Sequence, residues 1–104
     1  MMIFIETPIF TAELHALLTD EEYANFQRYL ADNPKQGNVI KDTGGLRKIR
    51  WTANGKGKSG GVRVIYYHLT ANANIRLLLI YKKGIQDDLT EKQKKILRQL
   101  NEEW

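Results

Sequence analysis

Three segments of the sequence, Leu46 to Thr52, Val62 to Leu69 and Ile75 to Lys82, have the length and apolar content of strands, and only short polar stretches separate them. Parallel neighbours need a crossover of about a dozen residues or more, usually a helix. The connections here are a glycine-lysine loop and the turn "TANAN", so the economical arrangement is an antiparallel meander. Side chains alternate along a strand. In "LRKIRWT", Lys48 and Arg50 therefore point one way while Ile49 and Trp51 point the other. In "VRVIYYHL", Arg63 shares its side with Ile65 and Tyr67, and Val62, Val64 and Tyr66 take the other. Apolar residues on both sides mark this as a central strand.

The flanks supply the remaining elements. "MIFIE" alternates as a short first strand, and "TPIFTAELHALL" spaces Phe10, Leu14 and Leu17 for a helix. A second helix opens at Thr19 with Glu22 three residues on, a capping-box pattern, and stops before Pro34. Thr90 and Gln93 cap a last helix, in which Ile96, Leu97, Leu100 and Trp104 form the apolar stripe. The order β-α-α-β-β-β-α predicts an α+β fold: a small twisted antiparallel sheet, two N-terminal helices and a C-terminal helix, with the helices on one face and the other face open. With 104 residues, 42% of them hydrophobic, residues 1–104 are expected to form one domain.

Composition narrows the chemistry. The absence of cysteine excludes disulfides, thiolate metal sites and cysteine nucleophiles, and two isolated histidines argue against a zinc site. The longest apolar run, Leu77 to Tyr81, is far below the ~20 residues of a membrane span, and no basic leader precedes the first strand. A cytoplasmic protein is expected. Charge is unevenly placed: residues 1–34 carry a net −5, residues 35–83 a net +10 and residues 84–104 a net −1. Such a block repels itself and is naturally compensated by a polyanion, most often nucleic acid. Within it, Arg63 lies where a central strand should be buried, an expensive placement unless the charge is paired or used. Asp87 is a candidate partner.

Two motifs lose weight on inspection. "GKGKS" has the triplet Gly57, Lys58, Ser59 of a phosphate-binding loop, but Thr52 stands where the first glycine belongs, and a strand rather than a helix follows. His68 is a candidate general base, yet no carboxylate partner is evident near it in sequence.

The blocks "GGLRKIR", "GKGKSGGVRVIYY" and "DLT", together with "EEYANFQRYLADNPKQGNVI", give the chain a resemblance that covers nearly its whole length. It resembles the RelE superfamily of bacterial toxins, and within it the HigB-like branch of type II toxin–antitoxin systems. The resemblance implies a toxin that binds the ribosomal A site with its mRNA, cuts the message there without a metal or other cofactor, and is neutralised by a cognate antitoxin, often a helix-turn-helix protein. It assigns the phosphate-contacting arginine to Arg63 and the basic pair of the preceding strand to Lys48 and Arg50. The basic position after the last strand falls on Lys82 or Lys83, with Lys83 the better match. Lys56, Lys58 and Arg47 are implied as contacts to RNA phosphates.

Those residue types suit cleavage by the RNA's own 2′-hydroxyl, which needs alignment and stabilisation of charge growing on the phosphate. A guanidinium fork can hold two phosphate oxygens and stays charged. A lysine crowded by other cations has a lowered pKa and can then move protons. Relatives that place a tyrosine or histidine near the C-terminus have no counterpart in "EKQKKILRQLNEEW", so Tyr81, Tyr67 and His68 remain the candidate bases. The same charge map also suits a non-catalytic RNA- or ribosome-binding module, an inactive family member, or a protein whose basic sheet docks an acidic partner.

Overall fold

The computed structural model describes residues 2–52, 61–86 and 88–104. Strand β1 (Ile3–Glu6) leads into helices α1 (Pro8–Leu17) and α2 (Asp20–Asp32). Strands β2 (Asn38–Val39), β3 (Arg47–Thr52), β4 (Gly61–Leu69) and β5 (Asn74–Lys82) follow, and helix α3 (Glu91–Glu102) comes last. The sheet order is β1-β5-β4-β3-β2. Strands β3, β4 and β5 form the expected antiparallel meander, but β1 runs parallel to β5, so the sheet is mixed rather than purely antiparallel. The short β2, which no apolar pattern announces, pairs with β3 at only two positions, Asn38 with Lys48 and Val39 with Arg47.

The helix starts follow their sequence signals. Thr7 accepts a hydrogen bond from the Phe10 amide at 3.0 Å and donates its hydroxyl to Leu78 O at 2.8 Å, so one residue caps α1 and ties it to β5. Pro8 occupies the first turn, where its missing N–H costs nothing. Thr19 with Glu22 and Thr90 with Gln93 both form complete capping boxes. Tyr23 links α2 to the first strand by donating its hydroxyl to Glu6 Oε2 at 2.6 Å. Burial, and then that bond and the Glu6 charge, push the Tyr23 phenol far above its ordinary value.

The two faces of the sheet carry separate cores. Phe10, Leu14, Phe26 and Leu30 of α1 and α2 pack on Ile49, Val62, Val64, Tyr66 and the same-face residues of β5. On the other face, Leu46, Ile65 and Leu78 meet Leu89 and Leu97. The second face is therefore partly roofed by α3, where the sequence predicts it open. A register shift produces this: Ile65 pairs with Leu79 but Tyr66 with Leu77, so Leu78 is an extra residue on β5. Leu78 and Leu79 consequently both belong to the second cluster and enlarge its apolar footing. The roof itself is thin. Of the expected stripe only Leu97 is buried, together with Asn101, while Ile96, Leu100 and Trp104 are 53%, 39% and 41% exposed. Residues 97 and 101 are one helical turn apart and define the contact line, and Ile96 and Leu100 flank it.

The turn between β4 and β5 includes Ala73 at φ 51°, in the left-handed region that a Cβ disfavours. Ala73→Gly is expected to raise stability by about 0.5–1 kcal/mol, read from the denaturant midpoint at unchanged slope.

Candidate nucleic-acid interface

Pairing across three strands sets the geometry of the basic face. Arg50 lies directly opposite Arg63, and Arg63 directly opposite Tyr81. The next same-face row is Lys48, Ile65 and Leu79. Lys48, Arg50, Arg63 and Tyr81 are thus gathered on the α3 side of the sheet, near its edge at β3. Arg63 is only 6% exposed, and its Nε has no hydrogen-bond partner among the described residues. Arg50, by contrast, is exposed. Two like charges in opposed positions of neighbouring strands repel, and a buried guanidinium with an unused N–H costs more. Among the described residues the Asp88 charge is one that acts on Arg63, and an anion bridging the two arginines would relieve their repulsion.

Asp88, which the sequence reading did not single out, completes this corner. Lys48 Nζ donates to Asp88 Oδ1 at 2.7 Å. The Lys48 bond and charge hold the Asp88 carboxyl below its ordinary value, with smaller contributions from Lys94 and Arg63. The loop carrying Asp88 is fixed in turn: Gln86 Nε2 donates to Asp88 O at 2.9 Å and to Gln93 Oε1 at 2.8 Å, joining it to the start of α3. Because the folded carboxyl is the stronger acid, its pairing stabilises the fold above the unfolded pKa and is lost as pH falls through the lowered value. Asp88→Asn is expected to reduce the melting temperature slightly at neutral pH. The difference from the unchanged chain should close in acid once the carboxyl is protonated.

The other expected site residues separate by face. Lys82 pairs with Val62, which pairs with Trp51, and this row lies on the α1–α2 side, opposite Arg63. Lys83 lies one residue beyond β5, in the turn that follows, and its amide donates to Gly61 O at 3.0 Å. Arg47 pairs with Tyr66 and is engaged structurally, its Nη1 donating to Gly37 O at 2.8 Å and Lys35 O at 3.2 Å. His68 shares the Tyr66 side, away from Arg63. Burial, then the Lys35 and Arg47 charges, hold its ring below the ordinary histidine value. Tyr67 is on the Arg63 side but four residues along β4, about 13 Å away, facing the Arg76 guanidinium. Among the candidate bases, Tyr81 alone stands beside Arg63. Lys56, Lys58 and Asp87 lie outside the described residues. Among the described residues, no three histidine, aspartate or glutamate side chains converge as a metal site.

The arrangement, a five-stranded mixed sheet with two helices after its first strand and one after its last, is similar to two solved structures. The chain superposes on RelE in the intact Escherichia coli RelBE toxin–antitoxin complex with a TM-score of 0.60, covering 81% of this chain and 99% of that one at 14% identity. It superposes on the isolated E. coli RelE toxin with a TM-score of 0.59, covering 96% and 99% at the same 14% identity. The fold is that of RelE. No family model matches the chain. No helix among the described residues is long and apolar enough to cross a membrane.

Proposed function

We propose that this protein is a cytoplasmic toxin of the HigB-like branch, acting as one domain: a ribosome-dependent endoribonuclease that cuts translated mRNA in the A site. The observation that carries the reading is the Arg50–Arg63–Tyr81 row on a RelE-like fold, an opposed pair of arginines that an RNA phosphate would bridge.

In the proposed reaction the 2′-oxygen attacks the adjacent phosphorus, the bond from phosphorus to the 5′-oxygen breaks, and a 2′,3′-cyclic phosphate and a 5′-hydroxyl result. Arg63 neutralises charge on the non-bridging oxygens, with Arg50 and Lys83 raising the local positive potential. Tyr81 takes the proton leaving the 2′-hydroxyl when it enters the step as the phenolate, becoming the neutral phenol, and Lys48, entering as the ammonium, gives a proton to the 5′-oxygen. Asp88 occupies Lys48 in the free protein and gives way to the phosphate chain. Lys56 and Lys58 hold ribosomal RNA backbone, with Arg47 in a supporting structural role. An antitoxin, proposed to be a helix-turn-helix protein, neutralises the toxin.

The test is purified protein added to ribosomes programmed with a defined message. Cleavage at the A-site codon, and little cleavage of the same RNA free in solution, is the expected result. Ribosome binding without any cut product would replace this reading with a non-catalytic binding module.

A further inference from the structure

The edge of the sheet beside the arginine row carries a second feature. β2 pairs with β3 only as far as Lys48, so from Ile49 to Thr52 the outer edge of β3 has no neighbouring strand among the described residues, and every second residue there presents its backbone N–H and C=O outward. A cleft of about 540 Å³ opens along this edge, within the range of pockets that hold ligands of nucleotide size. Tyr29 and Trp51 form one wall, their rings 5.3 Å apart and both half-buried. Trp51 is further braced edge-on by Phe26 at 5.5 Å. The exposed residues Gln36 and Asn38 line it as well. Neither side-chain amide has a hydrogen-bond partner among the described residues, yet the backbone between them is fixed. The Gly37 amide donates to the Tyr66 hydroxyl at 2.9 Å, and that hydroxyl donates to Pro34 O at 2.8 Å. Lys48 and Arg50 line the mouth.

We propose that this cleft binds one nucleobase of the RNA strand, stacked on the Tyr29–Trp51 wall and read by Gln36, Asn38 and the open edge of β3. The proposal rests on the RNA-cleaving reading above and adds a source of sequence preference to it. Each component has a matching part in single-stranded RNA: an aromatic platform stacks any base, carboxamides match a base's donor and acceptor edge, and flanking cations hold the phosphates on either side. Gly37 shows why the segment between Gln36 and Asn38 is held so close. A Cβ there would come within 2.8 Å of the Tyr66 ring, so the chain approaches β4 as only glycine allows. An extended peptide is a weaker fit, because four open residues offer it few ladder bonds and nothing selects for the amides or the cations.

A fluorescence titration tests this directly. Trp104→Phe leaves Trp51 as the single tryptophan. Adding a short single-stranded RNA is expected to quench it, and an RNA of equal charge with an abasic centre is expected to bind about 5- to 100-fold more weakly. Gln36→Ala with Asn38→Ala should keep that stacking difference but remove any preference among bases, and in the ribosome assay should redistribute cuts among codons. Equal affinity for the two RNAs, or quenching by a peptide and not by RNA, overturns the cleft assignment. If the protein cuts no ribosome-bound message, the enzyme reading falls and the titration alone decides the cleft.

Discussion

Arg63→Ala is expected to lower cleavage of ribosome-bound message by about 10²–10³-fold, the usual loss when a preorganised donor to a developing anion is removed. Arg63→Lys should recover only part of it, since an ammonium cannot hold two phosphate oxygens in a fixed plane. The fold should respond in the opposite sense. Arg63 is 6% exposed, stands opposite Arg50 and has an Nε with no hydrogen-bond partner among the described residues, so Arg63→Met is expected to leave the melting temperature unchanged or raise it. Activity and thermal unfolding measured on the same preparations separate the two effects. A cleaving Arg63→Ala protein would remove this residue from the reaction, and an unfolded Arg63→Met protein would make it structural.

The second large effect concerns the C-terminal helix. Arg76 projects from β5 on the α3 side and its Nη1 donates to both Asn101 O and Asn101 Oδ1 at 3.0 Å. Its guanidinium also lies 5.0 Å from the centre of the Trp104 ring and 5.8 Å from that of Tyr67. With Leu97 the only buried apolar residue within α3, these contacts are the principal clamp on the helix's last turn. Hydrogen bonds to a charged donor contribute about 1.5–3 kcal/mol each, and the cation–π contacts add about 0.5–1 kcal/mol. Arg76→Ala is expected to cost about 3 kcal/mol in the stability of the docked helix. Amide hydrogen exchange is the decisive measurement: residues 97–102 should lose protection while β4 keeps it. Uniform loss across the sheet would mean that α3 and the sheet unfold as one unit.

The local parts of this structure are legible in the sequence because local physics decides them. Thr19, Glu22, Thr90 and Gln93 form capping boxes wherever the backbone turns helical, and the alternation of "LRKIRWT" assigns Lys48 and Arg50 to one face. What alternation cannot supply is the register between strands. The opposition of Arg50, Arg63 and Tyr81, and the separation of Lys82 from them, depend on pairings fixed by turns and by the extra residue at Leu78. The exposure of Ile96 and Leu100 has the same origin: the apolar periodicity of α3 is real, but the strip of sheet available to receive it is narrow. Asp88 opens the "DLT" block, but nothing in that block announces its pairing with Lys48, which joins residues 40 apart in sequence.

The parallel pairing of β1 with β5 also governs when the molecule can finish folding. Ile3 finds its partner at Asn74, and the Thr7 hydroxyl its acceptor at Leu78, 71 residues later in each case. A chain made at about 5–20 residues per second holds its first strand without a partner until nearly the last one has emerged. This topology delays closure of the sheet until β5 is free to receive β1.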